Sequence, residues 1–233
     1  MKIRKRQTLT LAGLLTLTVL GLGFFWSFGT VEIFTDSTGI EWRVLAVDEN
    51  ENRLIITERV QGISQYNTTN VHTFLGQSDG LRLTLDAWFA DVLAPELVEG
   101  ALTADNLDND VRLRAGPISG WESWQVHRAL AAENAPAGLT RAGESTSENP
   151  LFVLSVSEVN EYRRRGTLNK EGLEYFPRLN EYLPISWWLR SHGTSAGTVA
   201  IVRWAESERT WFLDNTQASD ELGFRPAMWV RGL

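Results

Sequence analysis

Two short stretches near the C-terminus constrain the fold more than anything else in the chain. They are Trp187-Trp188-Leu189-Arg190-Ser191 and Gly223-Phe224-Arg225-Pro226-Ala227-Met228-Trp229. Tryptophan rings favour burial, and a guanidinium taken out of water needs acceptors for its five N–H groups. Arg190 follows two tryptophans, and Arg225 is fixed between phenylalanine and proline. Both stretches therefore read as strands of one sheet whose arginines are pinned by partners elsewhere. This combination specifies an architecture and leaves ligand and reaction open.

Together with Pro150-Leu151-Phe152-Val153-Leu154-Ser155-Val156-Ser157-Glu158, these stretches resemble the bacterial DUF6273 family. Its usual pattern is a Phe-Leu-Leu-Ser-x-x-Glu segment, then Trp-Trp-Leu-Arg-Ser-Pro-Gly, then Gly-(Val/Phe)-Arg-Pro-Ala. Further matches are Gly39-Ile40-Glu41-Trp42-Arg43-Val44-Leu45, Tyr66-Asn67, and Leu81-Arg82 leading into Asp86-Ala87-Trp88-Phe89. The resemblance runs in order from about residue 39 to 230. His192 departs from it, standing where the family has proline. The family has no assigned activity, so the resemblance implies a fold and no catalytic residues. Paired-tryptophan strands with a terminal arginine strand are similar to C-type-lectin-like and sulfatase-modifying-factor-like domains.

The first residues form an appendage. Lys2, Arg4, Lys5 and Arg6 precede an uncharged run over 8–28, which at about twenty residues suffices to span a bilayer as a helix. Trp26 suits an interfacial anchor, and bulky Phe24, Phe25 and Phe28 occupy the place where signal cleavage needs small residues. The expected organisation is a cytoplasmic basic tail over 1–7, a signal-anchor helix over 8–28, and an extracellular domain over 30–233. The protein is thus expected at the cell membrane, single-pass, with its C-terminal domain outside. The net charge is −7, and the part after the basic tail is more acidic still. Such a surface is a poor partner for nucleic acid. The chain has no cysteine, which excludes disulfides, thiolate metal sites and cysteine nucleophiles, including the cysteine-dependent chemistry of sulfatase-modifying relatives.

Patterning predicts a meander of strands at Val31–Phe34, Glu41–Val47 and Leu54–Glu58, with Asp48-Glu49-Asn50-Glu51-Asn52 as a turn. Ser78 or Asp79 caps a helix with Leu81, Leu85, Trp88, Phe89 and Val92 on one face, and Pro95 stops it or starts the next turn. Residues 105–120 lack periodicity and read as loop. Residues 131–150, rich in Ala, Glu, Ser, Gly and Pro, read as an exposed loop. Phe152–Leu154 is a short apolar strand. Ser155-x-x-Glu158 opens a helix that Gly166 ends. Closing strands are expected at Trp187–Arg190, Thr198–Trp204, Thr210–Asp214 and Arg225–Val230, with Pro226 at an edge or bulge. The fold class is therefore α+β: a mixed, mainly antiparallel sheet with a few short helices, C-type-lectin-like, preceded by one transmembrane helix.

Ten tryptophans are the most prominent resource for contact. Trp42, Trp88, Trp188 and Trp229 fall at core positions. Trp121, Trp124, Trp204 and Trp211 lie in or beside loops, where an indole face can stack on a sugar ring or a partner. Trp187, Trp188, Arg190, Arg225 and Pro226 form the structural motif; their arginines suit a buried fork better than a substrate clamp. Asp105, Asp108 and Asp110 could offer oxygen ligands to calcium, although their spacing is not that of an EF-hand loop. His72, His127 and His192 are isolated, and Ser191-His192 lacks the third group and the oxyanion donors of a triad. Glu158 as an acid–base carboxylate competes with its capping role. The function expected is a membrane-anchored extracellular module that binds a glycan, a cell-wall polymer or a protein partner. The alternatives are a surface enzyme using Asp/Glu acid–base chemistry, or a structural component of a surface assembly.

Overall fold

The computed structural model describes residues 2–5, 31–69, 79–107, 139–168, 186–205 and 210–232. Their strands are β1 (Lys2–Lys5), β2 (Glu32–Thr35), β3 (Glu41–Val47), β4 (Arg53–Thr57), β5 (Gly62–Gln65), β6 (Ala101–Asp105), β7 (Arg141–Ser145), β8 (Trp187–His192), β9 (Thr198–Ala205), β10 (Thr210–Gln217), β11 (Glu221–Phe224) and β12 (Ala227–Val230). Three described helices are α1 (Gly80–Asp91), α2 (Pro95–Glu99) and α3 (Val156–Arg165). The strands form a seven-stranded sheet, β1-β2-β3-β4-β12-β6-β7, and a five-stranded sheet, β10-β9-β8-β11-β5. Pairing is antiparallel except between β8 and β11, where Gly223 lies parallel to Trp187.

This architecture corrects three expectations. The fold is mostly β, built on two sheets with short helices between strands, and not an α+β fold behind a membrane helix. No helix among the described residues is long and apolar enough to cross a membrane. The run 8–28 itself lies outside the described residues. The tail expected across a bilayer from the domain is strand instead: Lys2–Lys5 pair with Glu32–Thr35, Lys5 opposite Glu32. Hydrogen-bonded partners lie about 5 Å apart, whereas a spanning helix separates its ends by about 30 Å. That pairing removes the basis for a signal-anchor and for a single-pass membrane localisation. Third, part of the expected exposed loop over 131–150 is strand: Arg141–Ser145 pair with β6, and Thr140 just before them is buried. Small residues permit this. Gly143 passes so close to the Thr103 hydroxyl that a Cβ there would lie 2.2 Å from it.

The local chemistry explains most boundaries. In β3, Trp42, Arg43, Val44 and Leu45 are all buried, so both faces of that strand are covered. A register shift between Val44 and Ala46 then lets the strand emerge toward the turn. In α1, Leu81, Leu85 and Trp88 face inward, and Trp88 meets Trp42 edge-on at 6.1 Å, while Val92 beyond the helix end is exposed. Asp79 stands at the N-cap without capping its own helix; its carboxylate accepts a hydrogen bond from Thr68 instead. Pro95 opens a second helix, α2, where its missing N–H costs nothing. α3 carries the full capping box: Ser155 Oγ accepts from Glu158 N and the Glu158 carboxylate accepts from Ser155 N. Gly166 ends it in the left-handed conformation.

Fully buried tryptophans make up much of the core. Trp42, Trp187 and Trp188 are inaccessible to water, and each contributes roughly 4–6 kcal/mol of apolar burial. Two of the three reach an acceptor with the indole N–H, Trp42 on Asp36 Oδ2 at 2.8 Å and Trp188 on the Ser64 carbonyl at 2.8 Å. The Ser64 contact anchors β8 to β5, two strands separated by β11 in the same sheet.

Gly80 gives a direct test of the local backbone. It has φ of +58°, and a Cβ added there would lie 2.5 Å from the Tyr66 carbonyl oxygen. Gly80→Ala is expected to destabilise the fold by about 1–3 kcal/mol. Urea unfolding should show a lower midpoint with an unchanged m value.

Candidate functional site

The two diagnostic stretches form two buried arginine nodes. In β8 the register against β9 shifts between Trp188 and His192. Arg190 and Ser191 within that irregular stretch both reach the segment that opens α3, Ser191 Oγ accepting from Val156 N at 2.7 Å. Arg190 Nε donates to the Leu107 carbonyl at 3.0 Å, and Nη1 donates to the Val153 carbonyl at 3.1 Å. Nη1 also pairs with the Glu158 carboxylate, in an ion pair sealed from water on both sides. The guanidinium lies over the Phe152 ring at 5.6 Å. Glu158 Oε1 accepts from Thr140 N at 3.1 Å and Thr140 Oγ1 at 2.6 Å, and Trp229 Nε1 donates to that same hydroxyl at 3.0 Å. One carboxylate thus ties α3, β8, the run entering β7 and, through Thr140, β12.

The second node lies where the chain changes sheets. Strand β11 ends at Phe224 in the five-stranded sheet, and β12 begins at Ala227 in the seven-stranded one. The stretch Gly223–Trp229, expected in one sheet, therefore divides between two; of the expected strand Arg225–Val230, Ala227–Val230 is strand and Arg225-Pro226 is the crossover. Proline suits this step, because the Pro226 carbonyl accepts from Thr57 N at 3.0 Å while no N–H is left over. Arg225 reaches back along β4: Nε and Nη2 donate to the Thr57 carbonyl at 3.0 and 2.7 Å, and Nη2 to the Glu58 carbonyl at 3.2 Å. Its guanidinium sits 5.1 Å from the Trp187 ring centroid. Burial pulls its pKa down to about 10; Glu58 opposes that shift and Arg43 adds to it. It remains charged at neutral pH, so the node encloses a full positive charge.

Glu58 supplies the carboxylate near both cations. Arg43 grips it as a fork, Nε on Oε2 at 2.7 Å and Nη2 on Oε1 at 2.6 Å, and Nη1 donates to the Thr167 carbonyl at 3.0 Å. Both side chains are almost wholly buried. Sequence reasoning missed this pair. The signal was present: Arg43 interrupts an apolar strand and Glu58 directly follows another, and a charge so placed must find a partner.

The expected contact residues fall differently. Trp211 is buried, 4 % exposed, and its backbone pairs with Trp204 of β9. That burial takes Trp211 out of reach of a surface ligand. Trp121 and Trp124 lie outside the described residues. Of the acidic set proposed for calcium, Asp105 is the exposed last residue of β6, and Asp108 and Asp110 lie outside the described residues. Among the described residues no group of three or more His, Cys, Asp or Glu side chains is placed to hold a metal ion.

Residues 128–232 match the model of a family described as a domain of unknown function, DUF6273. Over these residues, a little under half of the chain, the sequence is similar to that family. No curated protein and no solved structure matches the chain, so no known fold carries the C-type-lectin-like expectation. The DUF6273 match begins well after residue 39, where the resemblance read from the sequence begins, yet the structure binds the earlier strands to it. β12 of the DUF6273 region lies between β4 and β6, and β11 lies between β8 and β5. Both diagnostic arginine nodes also draw acceptors from outside the match, at Thr57, Glu58 and Leu107.

Two measurements test these assignments. A fragment limited to residues 128–232 leaves β11 and β12 without β4, β5 and β6, and is expected to lack a cooperative unfolding transition that residues 31–232 retain. Thermal melts followed by circular dichroism distinguish the two. Glu58→Leu leaves a buried Arg43 uncompensated and is expected to cost about 3–5 kcal/mol, whereas Arg43→Met combined with Glu58→Leu costs clearly less than the sum of the two single changes. Urea unfolding of the four proteins closes the cycle; additivity within about 0.5 kcal/mol would refute the coupling.

Proposed function

We propose that the chain is a non-catalytic binding module that meets a glycan, a cell-wall polymer or a protein partner through loop residues carried on a rigid two-sheet frame. The observation that supports this is the inward commitment of Glu158. It accepts from Thr140 N, Thr140 Oγ1, Ser155 N and Arg190 Nη1, which uses the four acceptor positions of a carboxylate. A carboxylate so engaged has no lone pair left for a substrate proton, and it fixes strands instead. Glu58 is likewise turned inward, each of its oxygens held by the Arg43 fork. A frame locked in this way suits loops that present contact residues. Trp121 and Trp124 are the contact residues of this reading, with Trp204 beside them in sequence pattern; Trp211 is left to the core.

The test is binding of the purified chain to an array of glycans and cell-wall polymers, with and without calcium. Saturable binding to one ligand class is expected, weakened about tenfold or more by Trp121→Ala or Trp124→Ala with the unfolding midpoint unchanged. Trp211→Ala is expected to lower the midpoint by several degrees through loss of a buried ring. A requirement for calcium would draw Asp105, Asp108 and Asp110 into the site. Failure of every ligand class under both conditions overturns the glycan and polymer forms of the proposal.

A further inference from the structure

We draw no further inference here: the strongest candidate, the exposed apolar strip of Leu83, Ala87 and Ala90 on α1, carries none because nothing in the structure shows what covers it.

Discussion

The guanidinium of Arg225 spans the junction on which both sheets depend. It sits in the step from β11 to β12, donates to main-chain carbonyls at the end of β4, and lies over the ring of Trp187 in β8. One side chain therefore links β4 of the seven-stranded sheet to β8 of the five-stranded one. Arginine is suited to this role because its planar fork can hold two carbonyls while its face covers an aromatic ring. A lysine at the same place offers a point charge on a flexible stem and no flat face. The enclosed charge is costly, and Glu58 within the Arg43 fork offsets it from the side. Arg43, Glu58 and Arg225 thus act as one unit although they are far apart in sequence.

Much of the local structure was legible in the residues themselves. The run Glu41–Val47 is a strand over those same residues. Ser155 and Glu158 form the reciprocal cap that their spacing announces, and Gly166 closes the helix. Such features were readable because their causes are local: a hydroxyl and a carboxylate three residues apart, or a glycine where only a left-handed turn will do. The paired tryptophans with their arginine also indicated burial and a pinned cation. The arginine's partners could not be read, because Glu158 lies on a separate helix and Leu107 in a distant turn.

The errors have physical causes as well. Residues 141–145 read as loop because Arg, Gly, Glu and Ser have little apolar content, yet an outermost strand needs only one covered face and one paired edge. Gly223–Trp229 read as part of one sheet because pattern does not reveal a change of sheet, which falls at Arg225-Pro226. The N-terminal run read as a membrane helix on its apolar length, basic flank and Trp26, signals blind to the pairing of Lys2–Lys5 with Glu32–Thr35. For the candidate site, Trp211 shows the limit of the loop argument: an aromatic beside a polar turn is drawn inward when its strand places it on the covered face.

The position of β12 has a consequence for how the chain reaches this state. It is the last described strand in sequence yet an interior one in its sheet, with β1 to β4 on one side and β6 and β7 on the other. During synthesis the two halves of that sheet emerge long before the piece that joins them. Until Ala227–Val230 arrives, β4 and β6 each keep an open edge, and a long stretch of chain must be looped out before the gap can close. A chain interrupted before Ala227 would hold two parts of that sheet with nothing to unite them.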